Sequence, residues 1–288
     1  MATVTPTAAP AATRLGPLFA GREFLWGALA VLLVLLVAIV GPWLAQDPAA
    51  TTLDRRLLPP FSDGHWLGTD ALGRDLWARI VTGLEWSIAV AVASTAIAAL
   101  IGTVLALLAA ERAGPVRTLV LQTVDAFLSF PGLVVAIAVI ATVGHGYLPL
   151  VLTLGGLSWP VFARVIYAEA SSLMQRDYVL AARLAGSSRT RILAGHVLPG
   201  VAPTLLVMLA FHLADMLVAE SALSFLGLGA PLGEPSLGNM LAESRQYLYV
   251  APWLMFVPAC AIVLVVVSAN LLGDGLTERL RGRARRAP

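Results

Sequence analysis

His212 and Asp215 stand three residues apart in a strongly apolar part of the chain, a spacing that puts both on one face of a helix. An imidazole and a carboxylate on one apolar face either meet a charged solute in a cavity or hydrogen-bond to a neighbouring helix. Glu220 lies a little further along and offers the same chemistry more weakly. The remaining histidines, His65, His145 and His196, show no paired spacing such as HExxH, so no metal site is expected. Cys260 is the only cysteine, which excludes an intrachain disulfide and a cysteine-based metal cluster. All 19 basic residues are arginine. Without lysine the chain builds neither a phosphate-binding P-loop nor a Schiff base, so any ATP it depends on is hydrolysed by another chain.

The elements that hold these residues follow from composition. Of 288 residues, 58% are hydrophobic and 12% charged. Soluble domains carry roughly 25% charged residues. With a mean hydropathy of +0.84, the chain is an integral membrane protein. A net charge of +2 argues for no nucleic-acid partner. Five long windows lack charge altogether, at 24–46, 86–110, 126–163, 192–214 and 246–273. A span needs about 20 apolar residues, so the third window holds two, parted by Gly144-His145-Gly146 and Pro149. Six spans are expected, near 25–45, 88–110, 122–143, 148–167, 201–223 and 252–273.

An even number of spans puts both termini on one side. The tails and the 111–121 and 164–200 connections hold 14 arginines, whereas the opposite loops hold five, Arg55, Arg56, Arg74, Arg79 and Arg245. The positive-inside rule makes both termini cytoplasmic in a multi-pass protein of the cell membrane. Residues 1–24, rich in Ala, Thr and Pro, read as a disordered tail, and 25–45 as a retained first anchor. An extracytoplasmic loop at 46–87, a core at 88–276 and a basic tail at 277–288 complete the division.

Three loops carry more than connection. The cytoplasmic stretch 168–200 is too long for a simple link. A helix over 179–184 ends at Gly186, Ser187 or Ser188 caps a second, and Leu198-Pro199 opens the next span. Two short helices at an angle form an elbow. It either inserts into a cleft of a cytosolic partner or lies on anionic headgroups with its arginines snorkelling. In the stretch 65–85, Asp70 is a candidate N-cap, and Leu72, Leu76, Ile80 and Leu84 recur at i+4 beside Trp66 and Trp77. That pattern predicts an interfacial amphipathic helix. The glycines and prolines of 220–240 predict a broken or re-entrant segment, tolerated only where it packs in protein or lines a cavity.

The segment YVLAARLAG…HVLP resembles the EAA loop of importer-type ABC transporter permeases. Ala181 and Ala182 fall on the two alanines, Gly186 on the glycine, and Leu198 and Pro199 on the closing pair. Leu180 replaces the family Glu and His196 the family Ile, as in the peptide-importing branch, which Asp177-Tyr178-Val179 and Arg183 also fit; Gly200, where that branch often has Asn, departs. LGTDxxGRDxxxR, with Gly68, Thr69, Asp70, Gly73, Arg74 and Asp75, resembles the signature of the C-type subunit of dipeptide and oligopeptide permeases. The stretch ESALSFLGLG…PSLGNM resembles the same subunit, and the likeness runs from about 65 to 278.

The resemblance implies an all-α, six-helix type I permease with cytoplasmic coupling helices, serving peptide uptake. A second homologous permease would complete the path, a cytosolic ATPase would hold ATP and magnesium, and an extracytoplasmic binding protein would deliver cargo. This chain itself would bind no cofactor and catalyse no reaction. Tyr178, Ala181, Ala182, Arg183, Gly186, Ser187, Leu198 and Pro199 would receive the ATPase, and His212, Asp215 and Glu220 would face the path. Nickel, glutathione or another small solute are alternative cargoes within the same architecture. A stand-alone secondary transporter is the rival from another class, expected to show inverted repeats and intramembrane ion ligands.

Overall fold

The structure, a computed structural model, describes residues 20–284 apart from 63, 113 and 232. Most of the expected N-terminal tail and the end of the basic tail lie outside the described residues. In chain order the helices are α1 (Ala20–Leu44), α2 (Leu76–Glu111), α3 (Pro115–Leu128), α4 (Gly132–Val143), α5 (Tyr147–Leu173), α6 (Asp177–Leu184), α7 (Arg189–Ile192), α8 (Leu198–Phe225), α9 (Leu237–Ser244) and α10 (Trp253–Ala284). Two isolated bridges, Ser62 to His65 and Thr69 to Asp75, are the only β pairing among the described residues.

The long helices α1, α2, α5, α8 and α10 each satisfy the length and apolarity of a span. The expected third span is not one straight helix over 122–143. It is α3 and α4, bent by 86° at Ser129–Pro131. Pro131 has no N–H to donate and pushes Phe130 out of the helical region, so the helix stops there. Contacts across the bundle show that this broken pair still crosses. Gly102 of α2 lies against Trp159 and Phe162 of α5, and Gly155 of α5 against Ser94 and Ile97 of α2. Positions advance together along both helices, so α2 and α5 are parallel and the chain between them must return through the full thickness. Six crossings result.

The helix expected at the interface is not separate either. α2 runs unbroken for 36 residues, about 54 Å, against roughly 30 Å of hydrocarbon. Asp75, not Asp70, is its N-cap, accepting from Ala78 N. Arg79 and Glu85 end the charge-free window without ending the helix, because neither residue breaks helical backbone. The extra turns stand beyond the apolar layer as a pedestal.

Small residues set the packing. Ala91, Ser94, Ala98, Gly102 and Ala106 are buried along α2 and let α5 approach closely. A Cβ on Gly102 would meet the Trp159 carbonyl oxygen at 2.5 Å. α8 runs antiparallel to α2, with Leu205 and Met208 on Ala98 and Ala99. α1 lies antiparallel on α10, where Gly27 faces Leu271 and Leu272 and Gly275 faces Phe24. The largest apolar core joins α2, α5, α8, α9 and α10. A second sits where the 177–197 elbow meets the ends of α2, α5 and α8.

Candidate functional site

Two faces of the bundle hold the residues singled out above. At one, the start of α2 carries a knot of charges. Arg79, 2% exposed, donates from Nη1 to Asp70 Oδ2 at 2.7 Å and to Glu243 Oε2 at 2.8 Å. Arg74 Nε donates to the same Asp70 oxygen at 2.6 Å and Nη2 to Glu243 at 3.2 Å. The other Asp70 oxygen accepts Leu72 N at 2.8 Å and Arg74 N at 2.9 Å, closing the loop on itself. Asp75 caps α2 with one oxygen and lies 2.7 Å from His65 Nδ1 with the other. Thr69 Oγ1 accepts from Leu58 N at 2.9 Å and donates to Arg55 O at 2.5 Å. Gly73, at φ +73°, lies so close to the Thr52 carbonyl that no Cβ fits. Two arginines thus neutralise two carboxylates from segments far apart in sequence. Every polar residue of the LGTDxxGRDxxxR pattern is spent on holding this loop to α2 and α9. Sequence reading missed Glu243, whose partners are more than 160 positions away.

On the same face, the expected re-entrant stretch is a folded hairpin between α8 and α9. Glu220 is wholly buried, and accepts from Ser224 Oγ at 2.7 Å and Ser221 Oγ at 3.4 Å. Ser224 Oγ also accepts Ala230 N at 3.3 Å, so one carboxyl and one hydroxyl fasten the returning chain. Asn239 Nδ2 donates to Ala230 O at 3.2 Å and Glu234 O at 3.3 Å, while Ser236 caps α9. The Arg245 guanidinium stacks 3.6 Å from the Phe225 ring centroid. Glu220 therefore faces the hairpin rather than an open path.

His212 and Asp215 part company in the middle of α8. His212 is buried edge-on to Phe162 of α5, ring centroids 4.8 Å apart. Asp215 is exposed on the flank of this chain.

The opposite face carries the elbow. α6 starts at Asp177 and ends on Ala185, with Gly186 at φ +80° turning the chain; Ser187 N then reaches back to Ala182 O at 3.1 Å. Ser188 caps α7, accepting from Arg191 N at 3.4 Å. A widened π-helical turn at Leu193–Val197, not foreseen from sequence, leads into α8, whose first turn holds Leu198 and Pro199. Val179, Ile192 and Val197 are buried against Ala106, Ile166, Met174 and Val201, so the inner side is locked to three long helices. The outer side is bare. Tyr178, Ala181 and Arg183 are exposed, Ala182 and Ser187 half-buried, and Leu184 at the tip is 91% exposed. Glu111, the last residue of α2, accepts from Arg189 Nη1 at 3.0 Å. That arginine offsets a carboxylate placed at the unfavourable end of a helix dipole. Among the described residues no group of His, Cys, Asp and Glu is arranged to hold a metal ion.

Comparison with known proteins adds to this geometry. Residues 102–286 match the family model "Binding-protein-dependent transport system inner membrane component". A putative peptide transport system permease protein of Brucella suis is 37% identical over 263 residues, covering 91% of this chain and 88% of that protein. The glutathione transport system permease protein GsiD of Pectobacterium atrosepticum is 37% identical, covering 87% and 83%. The probable D,D-dipeptide transport system permease protein DdpC of Escherichia coli is 34% identical, covering 92% and 93%. With its six crossings, knotted loop and projecting elbow, the chain is a multi-pass membrane permease that belongs to the binding-protein-dependent inner membrane components, the permeases of ABC importers.

Proposed function

We propose that the chain is one of two transmembrane subunits of an ATP-driven importer of di- and oligopeptides. The observation that carries this reading is the elbow, whose inner side is anchored to α2, α5 and α8 while an apolar tip at Leu184 stands exposed. An exposed leucine on a rigid, firmly seated knob suits a cleft in another protein. Displacing that knob would move three long helices together, which is how ATP binding elsewhere would be felt in the path. The excess of arginine on the elbow face supports a cytoplasmic elbow and cytoplasmic termini. ATP and magnesium would sit on a separate cytosolic ATPase, in keeping with a chain that has no lysine. An extracytoplasmic binding protein would deliver cargo at the knotted face. Asp215, exposed at mid-helix, would meet the charged end of a peptide where a second, homologous permease closes the path; a carboxylate is too costly to leave against lipid. His212 would position α8 against α5.

Glutathione, itself a small peptide, is the second reading, supported by a relative of that name at equal identity. The deciding experiment reconstitutes the assembled transporter in vesicles. It compares ATP-dependent accumulation of labelled dipeptides, oligopeptides, glutathione and nickel. Peptide accumulation that requires both the ATPase and ATP is the expected result. Uptake by this chain alone would overturn the proposal in favour of a secondary transporter.

A further inference from the structure

On the elbow face, beside the anchored side of the knob, a cavity of about 380 Å3 opens between the end of α2, the start of α3 and the end of α5. Its rim carries Arg112, the C-cap of α2, Arg117 of α3, and Arg183 of α6, with Gln175 and Ser171 beside them. Ala109, Ala110, Met174 and Leu180 supply the apolar part of its lining. Glu111 is the one carboxylate on the wall, and Arg189 occupies it at 3.0 Å. Arg112 Nε stands 3.8 Å from Glu111, beyond a hydrogen bond, and Arg183 has no acidic partner among the described residues. Arg117 lies 5.5 Å above the Tyr167 ring, another wall residue. Three cationic forks therefore line one hollow whose single carboxylate, Glu111, is hydrogen-bonded by Arg189 and lies at the edge of ion-pair range of Arg112.

We propose that this cavity binds the phosphodiester oxyanion of an anionic phospholipid. A guanidinium fork matches two phosphate oxygens at once, and three of them from separate elements select an oxyanion over a neutral headgroup. The lipid is favoured over a soluble phosphate by two features. The site lies where α2, α3 and α5 leave their apolar stretches, at headgroup level, and part of its lining is apolar, where glycerol and the first methylenes would rest. Basic pockets between spans on the cytoplasmic side are suited to such headgroups. Because Arg183 belongs to the elbow and Arg112 and Arg117 to the bundle, one bound phosphate would brace the knob against the spans. The inference is independent of cargo, and its test reads no transport.

The test follows arginine modification by phenylglyoxal, residue by residue with mass spectrometry, on the purified full chain in vesicles. The arms are phosphatidylcholine alone, phosphatidylcholine with phosphatidylglycerol, phosphatidylcholine with inorganic phosphate, and phosphatidylcholine with the cytosolic ATPase. Arg176 and Arg191, exposed outside the cavity, serve as internal controls. Phosphatidylglycerol is expected to slow labelling of Arg112, Arg117 and Arg183 by about ten-fold or more and to leave the controls within about two-fold. Each basic side chain at an anionic surface contributes roughly five-fold to affinity, so R112Q/R117Q/R183Q should retain phosphatidylglycerol on the order of 100-fold more weakly. Equal slowing at the controls, or none at the three arginines, overturns the site. Slowing by inorganic phosphate alone overturns the lipid assignment. Slowing that appears only when the cytosolic ATPase is added gives these arginines to a protein interface and also overturns it.

Discussion

The two faces of this permease use their polar residues in opposite ways. In the knot around Asp70, side chains pair with one another, and Arg74 and Arg79 each bridge the carboxylates of Asp70 and Glu243. In the elbow the inner side chains are buried, but the outer side is bare, and the tip leucine is almost fully exposed. Both regions follow family patterns, yet the same kind of sequence signal marks a structural lock in one place and an exposed projection in the other. The difference teaches that a motif is read correctly only when its own partners are counted. The knot ties Arg74 and Arg79 to Asp70 and Glu243 and fixes the start of α2, while the elbow tip stands exposed.

The sharpest way to break this comparison is to remove the centre of the knot. Arg79→Met takes away the more deeply buried of Asp70's two arginine partners while Arg74 keeps the other bond, and severing a buried ion pair costs about 3–5 kcal/mol. Glu243 is 42% exposed and recovers water, so the low end, about 3 kcal/mol, is expected. Thermal unfolding of the purified chain would register it, and a loss under about 1 kcal/mol would show that the knot is not a lock. Ser224→Ala comes next. It removes the hydroxyl that joins Glu220 to Ala230 N and leaves a buried carboxyl short of a donor, a loss of about 1–3 kcal/mol. Proteolysis of the 226–236 hairpin should accelerate in that variant while α2 stays protected.

These two predictions also mark where sequence reading reaches its limit. α1 and most of α10 follow from apolar runs, because burial in lipid demands uncharged length, and α8 follows although Asp215 and Glu220 lie inside it. The first ten residues of α2 were hidden by Arg79 and Glu85, charges that end a hydropathy window but not a helix. The 86° break between α3 and α4 was hidden for the converse reason: Pro131 interrupts the backbone inside a run with no charge to announce it. At the sites, Gly186 and Ser188 were legible because a left-handed turn and a cap are local requirements. Glu243 was not, since its pairing with Arg74 and Arg79 is set by the tertiary approach of α9 to α2. The separation of His212 from Asp215 escaped for the same reason. A three-residue spacing leaves about 60° between side chains, enough for α5 to bury one and leave the other bare.

The elbow should respond in the opposite sense, with small effects on stability and large ones on coupling. Gly186→Ala places a Cβ at φ +80° in open space, so only the strained backbone is penalised, by about 1 kcal/mol. Transport per ATP hydrolysed should nevertheless fall, because the turn sets the angle between α6 and α7.

Leu184→Ser is the mildest change to the fold and the most decisive for the comparison. A side chain 91% exposed contributes almost nothing to folding, so thermal stability should move by less than about 0.5 kcal/mol. If the tip seats in an ATPase cleft, burying a leucine there is worth about 2 kcal/mol, and its loss weakens association roughly thirty-fold. Pull-down of the ATPase by the variant, set against its unchanged melting curve, measures both quantities on one preparation. Unchanged association would make the elbow tip as self-contained as the knot, and the contrast between the two faces would fail. Weakened association with an intact fold would mean that the exposed leucine is kept for a partner, since nothing within this chain holds it.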